Sequence, residues 1–387
     1  MIDRQQAHCP LPANVQVPLA ALGGADSADQ MRHFVQDDGM NVFRLAMTWQ
    51  YITAGQPSDK LDKTNWGNFD KLVQACLATG AYCMLDLHNF ARFIGVVIGQ
   101  GGPSNEVFAG LWTNIAAHYV HEEKIIFGLM NEPHDLDLQL WAKSCQAAVT
   151  AIRKAGATSQ MILLPGTNFT NAETFVSSGS AEALAKITNP DGSTDNLIMD
   201  IHKYLDINNS GSHVECTTNN VAAFKTLADW LRKNKRLGLI SETGASMDSS
   251  CMTKFCEQNE FIAKNEDVFI GFVGWAAGGF NGTYILNLMP SKSGNTWTDN
   301  KLMTQCILTP FGKPNASLST TTTTRTATTR TASPTATSQS TTKGFTTETL
   351  STATPTASKS SEEDGANQLL ISRFSILLAC IAALYLF

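Results

Sequence analysis

The stretch Ile125-Ile-Phe-Gly-Leu-Met-Asn-Glu-Pro133 opens with six apolar or small residues and closes with an amide, a carboxylate and a proline. The apolar run shows no two-residue alternation, which is typical of a strand buried on both faces of a parallel sheet. Polar residues at the carboxyl end of such a strand stand where parallel α/β folds build their sites. The stretch therefore predicts a buried parallel strand that delivers Asn131 and Glu132 to one edge of a sheet.

Six more apolar runs of this kind occur along the chain, and amphipathic stretches separate them. The seven predicted strands cover residues 41–47, 81–88, 125–131, 160–165, 196–202, 237–242 and 269–275. The predicted helices cover residues 68–79, 106–119, 137–155, 180–187 and 221–234. Strands that alternate with helices in this way predict an α/β fold, a (β/α)₈ TIM barrel that is one strand short.

The missing strand is expected ahead of residue 41. Residues 15–22 are a weak candidate for it, and residues 1–8 contain no apolar segment of the kind that a secretory signal peptide needs. We therefore expect a barrel that lacks its first strand, and a chain without its signal peptide, through truncation at the amino terminus.

The composition indicates an ordered protein that acts on a neutral ligand. The chain has 387 residues, 43% of them hydrophobic and 16% charged, with a formal net charge of −6. The hydrophobic fraction excludes global disorder, and the acidic balance offers no basic surface for nucleic acid. A surface of low charge suits a neutral polar ligand better than a phosphorylated one.

The composition changes near Pro314. Residues 313–361 are dominated by Ser and Thr with scattered Pro, and such a segment cannot bury enough apolar surface to become ordered. We predict a disordered stalk that would be O-glycosylated in a secretory compartment. The catalytic barrel is accordingly assigned to residues 1–312.

Residues 362–387 resemble a glycosylphosphatidylinositol attachment signal. Small polar residues (Asp364-Gly-Ala-Asn367) precede a spacer and an apolar terminus, which is the pattern of such signals. A single membrane span is the alternative, and Arg373 within the apolar run makes it less favoured. Four N-glycosylation sequons, which begin at Asn168, Asn208, Asn281 and Asn315, agree with an extracellular protein that is anchored at the cell surface or secreted.

Polar and aromatic residues occur at or near the carboxyl ends of most of the predicted strands. They are Arg44, His88, Asn131, Glu132, His202, Tyr204, Glu242 and Trp275. A lone His or Arg of this kind is more often structural than functional. Six of the seven strands carry such residues, mostly at the same end, which is harder to explain by packing, so we predict a site there.

Glu132 and Glu242 are the predicted catalytic pair. Cleavage of a glycosidic bond needs a carboxylic acid that protonates the leaving oxygen and a carboxylate on the other face of the sugar ring. Carboxyl groups about 5–5.5 Å apart give retention of configuration, because the second carboxylate attacks the sugar directly. We predict that Glu132 is the acid/base and that Glu242 is the nucleophile, kept ionised by Arg44 and oriented by Tyr204.

The remaining predicted residues bind the substrate. We expect His88 and His202 to donate hydrogen bonds to sugar hydroxyls or to the carboxylates. Asn131 is expected to hold the hydroxyl beside the reacting carbon, where hydrogen bonds strengthen in the transition state. Trp275 offers a flat apolar face to a pyranose ring.

Several segments together resemble fungal endoglucanases of glycoside hydrolase family 5. They include Gly128-Leu-Met-Asn-Glu-Pro-His-Asp135, Asp86-Leu-His-Asn-Phe-Ala-Arg92, Ile201-His-Lys-Tyr-Leu-Asp206 and Ile240-Ser-Glu-Thr-Gly244. The resemblance runs from about Ala28 to Ile307. It implies a monomeric retaining endo-β-1,4-glucanase with no cofactor and no metal, whose partner is a β-glucan chain. The β-1,4-glucan preference comes from the resemblance alone, and a mannan or mixed-linkage glucan stays open.

The resemblance also concerns the aromatic side chains on which the sugar rings of the substrate stack. Where relatives tend to carry Trp, this sequence has Phe93 and Phe169, and a Phe ring offers less area and no N–H donor. We count Trp49 and Phe93 among the expected substrate-binding residues.

The nine cysteines suggest three disulfides. Cys76 and Cys83 flank a predicted helix-to-strand turn and are expected to pair. Spacing alone leaves three connectivities for four others, and the resemblance implies the pairs Cys216–Cys251 and Cys256–Cys306. Cys145 is expected to be a buried free thiol, Cys9 to have lost a partner upstream, and Cys380 to leave with the terminal signal.

Two other classes of protein remain as alternatives. Asp86 with His88, and Asp200 with His202, place paired ligand-type residues on two strands, as metal-dependent barrel hydrolases do. The lack of a His-x-His pair and of an evident bridging Lys makes that class less favoured. The other alternative is a non-catalytic, wall-anchored glucan-binding protein.

Overall fold

A computed structural model describes residues 27–278, 283–311 and 381–386 of the chain. The candidate strand at 15–22, Cys9, the predicted stalk at 313–361 and most of the predicted anchor signal lie outside these residues. Among the described helices, none is both long enough and apolar enough to cross a lipid bilayer.

The described strands, numbered in chain order, include the seven that were predicted. They are β1 (Val42–Met47), β2 (Tyr82–Leu87), β3 (Arg92–Phe93), β4 (Val96–Val97), β5 (Ile125–Gly128), β6 (Met161–Pro165), β7 (Leu197–His202), β8 (Gly238–Thr243), β9 (Phe269–Ala277), β10 (Ser291–Ser293), β11 (Thr296–Thr298) and β12 (Ile381–Leu386).

The described helices lie mainly between the barrel strands. They are α1 (Ser27–Gln36), α2 (Trp49–Ile52), α3 (Lys63–Leu77), α4 (Asn105–Ala117), α5 (Leu138–Lys154), α6 (Ser180–Leu184), α7 (Val221–Asn234), α8 (Ser249–Ala263) and α9 (Thr309–Phe311), with a 3₁₀ turn at Asn168–Thr170 and a π-helix at Met303–Leu308.

Seven parallel strands form the wall of a barrel, in the order β1, β2, β5, β6, β7, β8 and β9. The prediction of a TIM barrel that is one strand short is therefore confirmed for the described residues. The position between β1 and β9 holds β12, which runs antiparallel to both and pairs Leu384 with Val42. The wall is thus closed by a segment from the far end of the chain.

The strands form where the sequence is apolar on both faces. Every residue of β5, β7 and β8 is buried, as the absence of alternation in the sequence predicts. Outside the wall, the indole N–H of Trp141 on α5 donates to the carbonyl of Pro165 at the end of β6, at 2.9 Å. The ring of Trp112 on α4 meets Phe127 of β5 edge-on.

Side-chain caps decide where several helices begin. The carboxylate of Asp62 accepts the backbone N–H groups of Thr64 and Asn65, so α3 begins at Lys63, five residues before the predicted start. The prediction for α7 agrees at both ends. The sequence did not predict α8, because its buried face includes the polar residues Gln258 and Asn259.

Three disulfides are present in the described residues, and all three were predicted. They join Cys76 to Cys83, Cys216 to Cys251 and Cys256 to Cys306. Cys145 is a buried free thiol, as expected, and burial raises its pKa, which keeps it in the unreactive protonated form.

Candidate active site

Eight predicted site residues converge at the mouth of the barrel, because parallel strands bring their carboxyl ends to one edge. Arg44 lies in β1 and His202 ends β7, while Glu242 and Trp275 lie near the ends of β8 and β9. His88, Asn131, Glu132 and Tyr204 stand on the loops that leave β2, β5 and β7.

Glu132 and Glu242 face one another across this mouth. One carboxylate oxygen of Glu132, one of Glu242 and a ring nitrogen of His202 all lie within 4.8 Å of one another. Catalysis with inversion needs the two carboxyl groups roughly 6.5–9.5 Å apart to admit a water molecule. An approach of two carboxylate oxygens to within 4.8 Å agrees with the shorter separation, about 5–5.5 Å between carboxyl groups, at which a carboxylate attacks the sugar directly.

Glu242 is surrounded by donors. Nη1 of Arg44 donates to its Oε2, and the hydroxyl of Tyr204 donates to its Oε1 at 2.7 Å. Burial alone would raise the pKa of Glu242, but the charges of His202, Arg44 and His88 and the hydrogen bond from Tyr204 lower it to about 2. Glu242 is therefore ionised at neutral and at mildly acidic pH.

Glu132 is the more open of the two carboxylates. Its side chain is 18% exposed, against 7% for Glu242, and its Oε1 lies 3.0 Å from Nδ1 of His202. Burial alone would lower the pKa of His202, but the charge of Glu242 and the hydrogen bond to Glu132 raise it. His202 thus lies between the two carboxylates, and both favour the protonated form of its ring.

The guanidinium of Arg44 connects the site to two further residues. Its Nη2 donates to Oδ1 of Asn131 at 2.5 Å and lies 3.0 Å from Oδ2 of Asp86. The same oxygen of Asp86 lies 2.8 Å from Nδ1 of His88. Asp86 therefore orients both Arg44 and His88. The sequence analysis missed this role, although side-chain alternation puts Asp86 and His88 on one face of the strand predicted at 81–88.

Trp275 is held in place by its neighbours. Its ring stacks on His88 with centroids 5.7 Å apart and an angle of 20° between the planes, and its N–H donates to the hydroxyl of Tyr284 at 2.8 Å. The peptide bond between Trp275 and Ala276 is cis. Tyr284 lies in a loop whose sequence carries no signal of this contact.

The comparison with known families agrees with this site. The site is a carboxylate pair at the mouth of a TIM barrel, surrounded by Arg, His, Asn, Tyr and Trp side chains. The family model described as cellulase (glycosyl hydrolase family 5) matches residues 11–280. The chain belongs to glycosyl hydrolase family 5.

Named relatives of this family 5 chain are fungal endoglucanases. It is 51% identical over 300 residues to endoglucanase EG-II of Hypocrea jecorina, covering 76% of this chain and 72% of that protein. It is 45% identical over 289 residues to endoglucanase 1 of Saitozyma flava, covering 74% and 82%. The crystal structure of Cel5A (EG2) from Hypocrea jecorina is 50% identical and superposes with a TM-score of 0.73, covering 75% and 89%.

Two predicted sugar-binding residues of the family 5 chain do not lie at the surface of the cleft. Trp49 is fully buried, its indole N–H donates to the carbonyl of Ser58, and its ring packs edge-on against the buried ring of Phe93. Trp49 has no exposed surface, so the expectation that it contacts the sugar is wrong, whereas the expectation for Phe93 stays a prediction. The two rings pack in the core because the turn after β1 folds Trp49 inward, which the sequence did not reveal.

Another row of rings extends from the cleft instead. Phe90 meets both His88 and His134 edge-on, and Phe169 stacks on His134 with centroids 4.4 Å apart and an angle of 14°. Phe169 and its two neighbours have φ values of 57°, 60° and 50°, a costly left-handed conformation for residues other than glycine. Strain of this kind clusters at functional sites, and here it turns Phe169 toward His134.

A metal ion is not favoured at this site, because the atoms that could bind it already form hydrogen bonds within the protein. Glu132, His202 and Glu242 offer ligand atoms close enough for one ion. Arg44 and Tyr204, however, already donate to the two oxygens of Glu242. In the paired residues of the metal-dependent alternative, Asp86 contacts Arg44 and His88, and Asp200 accepts from Ser241.

Proposed function

We propose that this family 5 chain is a retaining endo-β-1,4-glucanase that hydrolyses internal bonds of cellulose-type β-glucans. The single observation that carries the proposal is the approach of a Glu132 oxygen to within 4.8 Å of a Glu242 oxygen at the barrel mouth. The two curated relatives named above are both endoglucanases, which supports the choice of a β-glucan as substrate.

In the first step, the ionised Glu242 attacks the anomeric carbon of the bound sugar. A bond forms from that carbon to the carboxylate oxygen while the bond to the leaving oxygen breaks. Glu132 gives its proton to the leaving oxygen, which departs as a hydroxyl of the shortened chain. The low pKa of Glu242 keeps the attacking group unprotonated.

In the second step, Glu132 acts as a base. It takes a proton from a water molecule, whose oxygen attacks the anomeric carbon and releases Glu242 as a carboxylate. Arg44 and Tyr204 stabilise the departing carboxylate because both donate hydrogen bonds to it. Two displacements at the same carbon restore its original configuration.

Asn131 supports the proposed binding of the sugar. Its Oδ1 accepts from Arg44, and its buried Nδ2 has no hydrogen-bond partner within the described residues. An unsatisfied buried donor costs about 1–3 kcal/mol, and a sugar hydroxyl would remove that cost. We assign Asn131 to the hydroxyl beside the reacting carbon and the ring of Trp275 to the face of a pyranose.

The test compares wild type with Glu132→Gln and Glu242→Gln on carboxymethylcellulose, with Glu260→Gln on the outer helix α8 as the matched control. We expect losses of about 10²–10⁴-fold or more for the two site variants and none for the control. Proton NMR of the first products should show the β-anomer. Unchanged activity in either site variant would sink the proposal, and inactivity of all proteins with retained glycan binding would favour the non-catalytic alternative.

The choice among β-glycans has its own experiment. Cellopentaose and mannopentaose differ in the orientation of one hydroxyl on each sugar, so the ratio of their kcat/KM values measures the preference directly. A ratio in favour of cellopentaose is expected. The opposite ratio would reassign the chain to mannan hydrolysis with the same carboxylate chemistry.

We further propose that the protein is exported, carries N-glycans and is attached to the cell surface through a lipid at 362–368. Support comes from the three disulfides, from the exposed side chains of Asn168 and Asn208, and from the terminal sequence pattern. Cleavage at that site would also remove β12 from the barrel wall. Release of activity from whole cells by a phosphatidylinositol-specific phospholipase tests the anchor, and a mature protein that retains residues 381–386 would refute it.

A further inference from the structure

The loop that follows Tyr204 is organised around one buried carboxylate. Asp206, whose side chain is 3% exposed, accepts the backbone N–H groups of Ser210, Gly211 and Ser212 at 2.9, 3.1 and 3.2 Å. It also lies 2.8 Å from Nδ1 of His213. Burial alone would raise the pKa of Asp206, but the hydrogen bonds from His213 and from the loop lower it, so the carboxylate is ionised.

This loop touches Tyr204 at two points. Oδ1 of Asn209 accepts the backbone N–H of Tyr204 at 2.8 Å. Gly211, with a φ of +66°, lies so close to the Tyr204 ring that an added Cβ would stand 2.7 Å from Cε1. Only glycine fits there, because any side chain would both strain the backbone and push the ring.

The position of the Tyr204 ring matters because its hydroxyl donates to Oε1 of Glu242 at 2.7 Å. A hydrogen bond of this length weakens steeply when the donor moves by about an ångström. The Tyr204 hydroxyl has little freedom of its own, since the side chain is buried and the backbone of Gly211 stands against its ring. The loop therefore sets the distance between the hydroxyl and the carboxylate.

We propose that Asp206 is a positioning residue for the nucleophile: it holds the loop of residues 206–213 in the conformation that presses Tyr204 against Glu242. The inference rests on the role proposed above for Glu242. Asp206 makes no described contact with either carboxylate of the catalytic pair, so it acts only through Tyr204. The alternative is that Asp206 stabilises the loop without influence on the reaction.

A double-mutant cycle separates these two roles. It measures kcat/KM on cellopentaose for wild type, Asp206→Asn, Tyr204→Phe and the double variant. A hydrogen bond to a charged acceptor corresponds to a loss of about 10–150-fold, so we expect a loss of at least about tenfold for Asp206→Asn in the Tyr204 background. In the Tyr204→Phe background the same change should cost less than about twofold. Equal losses in both backgrounds would refute the inference.

The pH profile supplies a readout that a purely structural role would not move. The hydrogen bond from Tyr204 helps to lower the pKa of Glu242 to about 2. Its loss raises that pKa, so the acidic limb of kcat/KM should move to higher pH in Asp206→Asn and in Tyr204→Phe alike. The matched control is Asp62→Asn, which also removes a carboxylate that accepts two backbone N–H groups and should leave the limb in place.

A milder pair of variants keeps the test decisive if Asp206→Asn fails to fold. Asn209→Ala removes the acceptor of the Tyr204 N–H, whereas Asn209→Asp keeps an oxygen there and tolerates the φ of 56°. We expect the first to shift the acidic limb and the second to restore it. If neither moves the limb while Glu242→Gln abolishes activity, Asp206 is not a positioning residue and the proposed function stands. If Glu242→Gln stays active, the proposed function itself fails.

Discussion

Replacing Arg44 with Met isolates the charge that keeps Glu242 ionised. Methionine has a similar volume and no charge, so Arg44→Met removes the donor to Glu242 while the barrel interior stays filled. The same change leaves Asp86 without its guanidinium partner at 3.0 Å. Both effects destabilise the ionised form of Glu242, so its pKa must rise.

The size of the rise follows from the hydrogen bond that is lost. A charge-assisted hydrogen bond contributes about 1.5–3 kcal/mol, and about 1.4 kcal/mol corresponds to one pH unit. The pKa of Glu242, about 2 in wild type, should therefore rise to roughly 3–4 in Arg44→Met. The unpaired charge of Asp86 acts in the same direction, so this range is a lower bound.

The assay is the pH dependence of kcat/KM on cellopentaose, followed down to the pH at which each protein unfolds. We expect the acidic limb of Arg44→Met to lie at least about one pH unit above that of wild type. Arg236→Met is the matched control, because Arg236 is also a buried arginine but donates to the carbonyls of Ala185 and Leu197. It should lower stability without moving the limb.

Stability against pH gives a second measurement of the same charge. The folded-state pKa of Glu242 lies below its ordinary value, so its ionised form stabilises the fold above pH 4.5, and this contribution is lost as the pH falls toward 2. The difference between 4.5 and about 2 corresponds to about 3 kcal/mol. Arg44→Met should lose less stability over this window than wild type. An unmoved acidic limb together with an unchanged acid loss would show that Arg44 does not control Glu242.

Three further predictions concern other parts of the molecule. The Cys256–Cys306 disulfide closes a loop of 50 residues, whereas Cys76–Cys83 closes a loop of 7. Replacing the first pair with Ala should cost about 4 kcal/mol of unfolding free energy and replacing the second about 2 kcal/mol, measured by urea denaturation. Equal costs would contradict the dependence on loop length. Burial and the charge of Asp299 raise the pKa of Asp38 to about 7, so wild type should lose stability as the pH rises from about 4 through 7. Asp38→Asn should show a smaller fall in Tm between about pH 5 and 8 than wild type. A fall in Tm parallel to that of wild type would disprove this prediction. A Cβ on Gly244 would collide with the carbonyl oxygen of Trp275. Gly244→Ala should therefore raise KM on cellopentaose more than it lowers kcat. An unchanged KM would speak against a role of the Trp275 ring in binding.

Local patterns were enough for the architecture because each barrel strand is buried on both faces. A run such as residues 197–202 is apolar apart from Asp200 and His202, and this pattern does not depend on which strands become its neighbours. Helix starts depended on single side chains such as Asp62, whose capping bonds became visible only in three dimensions. Helix α8 was missed because it buries amides beside its cysteines.

The convergence of Glu132 and Glu242 could also be predicted, because strand ends must meet at the barrel mouth whatever the loops do. The orientation of the aromatic rings could not be predicted, since it depends on how the turns of the backbone direct the side chains. Trp49 turns into the core, whereas Phe169 is brought onto His134 by a left-handed turn. A side chain's type indicates what it can bind, but not whether the backbone turns it toward solvent.

By itself, the sequence determined which segments become the parallel strands, the edge at which polar side chains collect and the two glutamates there, because these follow from the hydrophobic pattern and the rule that parallel strands share one carboxyl edge. Only the tertiary structure decided the distance between Glu132 and Glu242, the donors around Glu242 and the loop that holds Tyr204. The physical reason is that distances and pKa values come from groups brought together across the barrel. Arg44 and Glu242 are 198 positions apart in the chain and share a hydrogen bond only once the wall has closed.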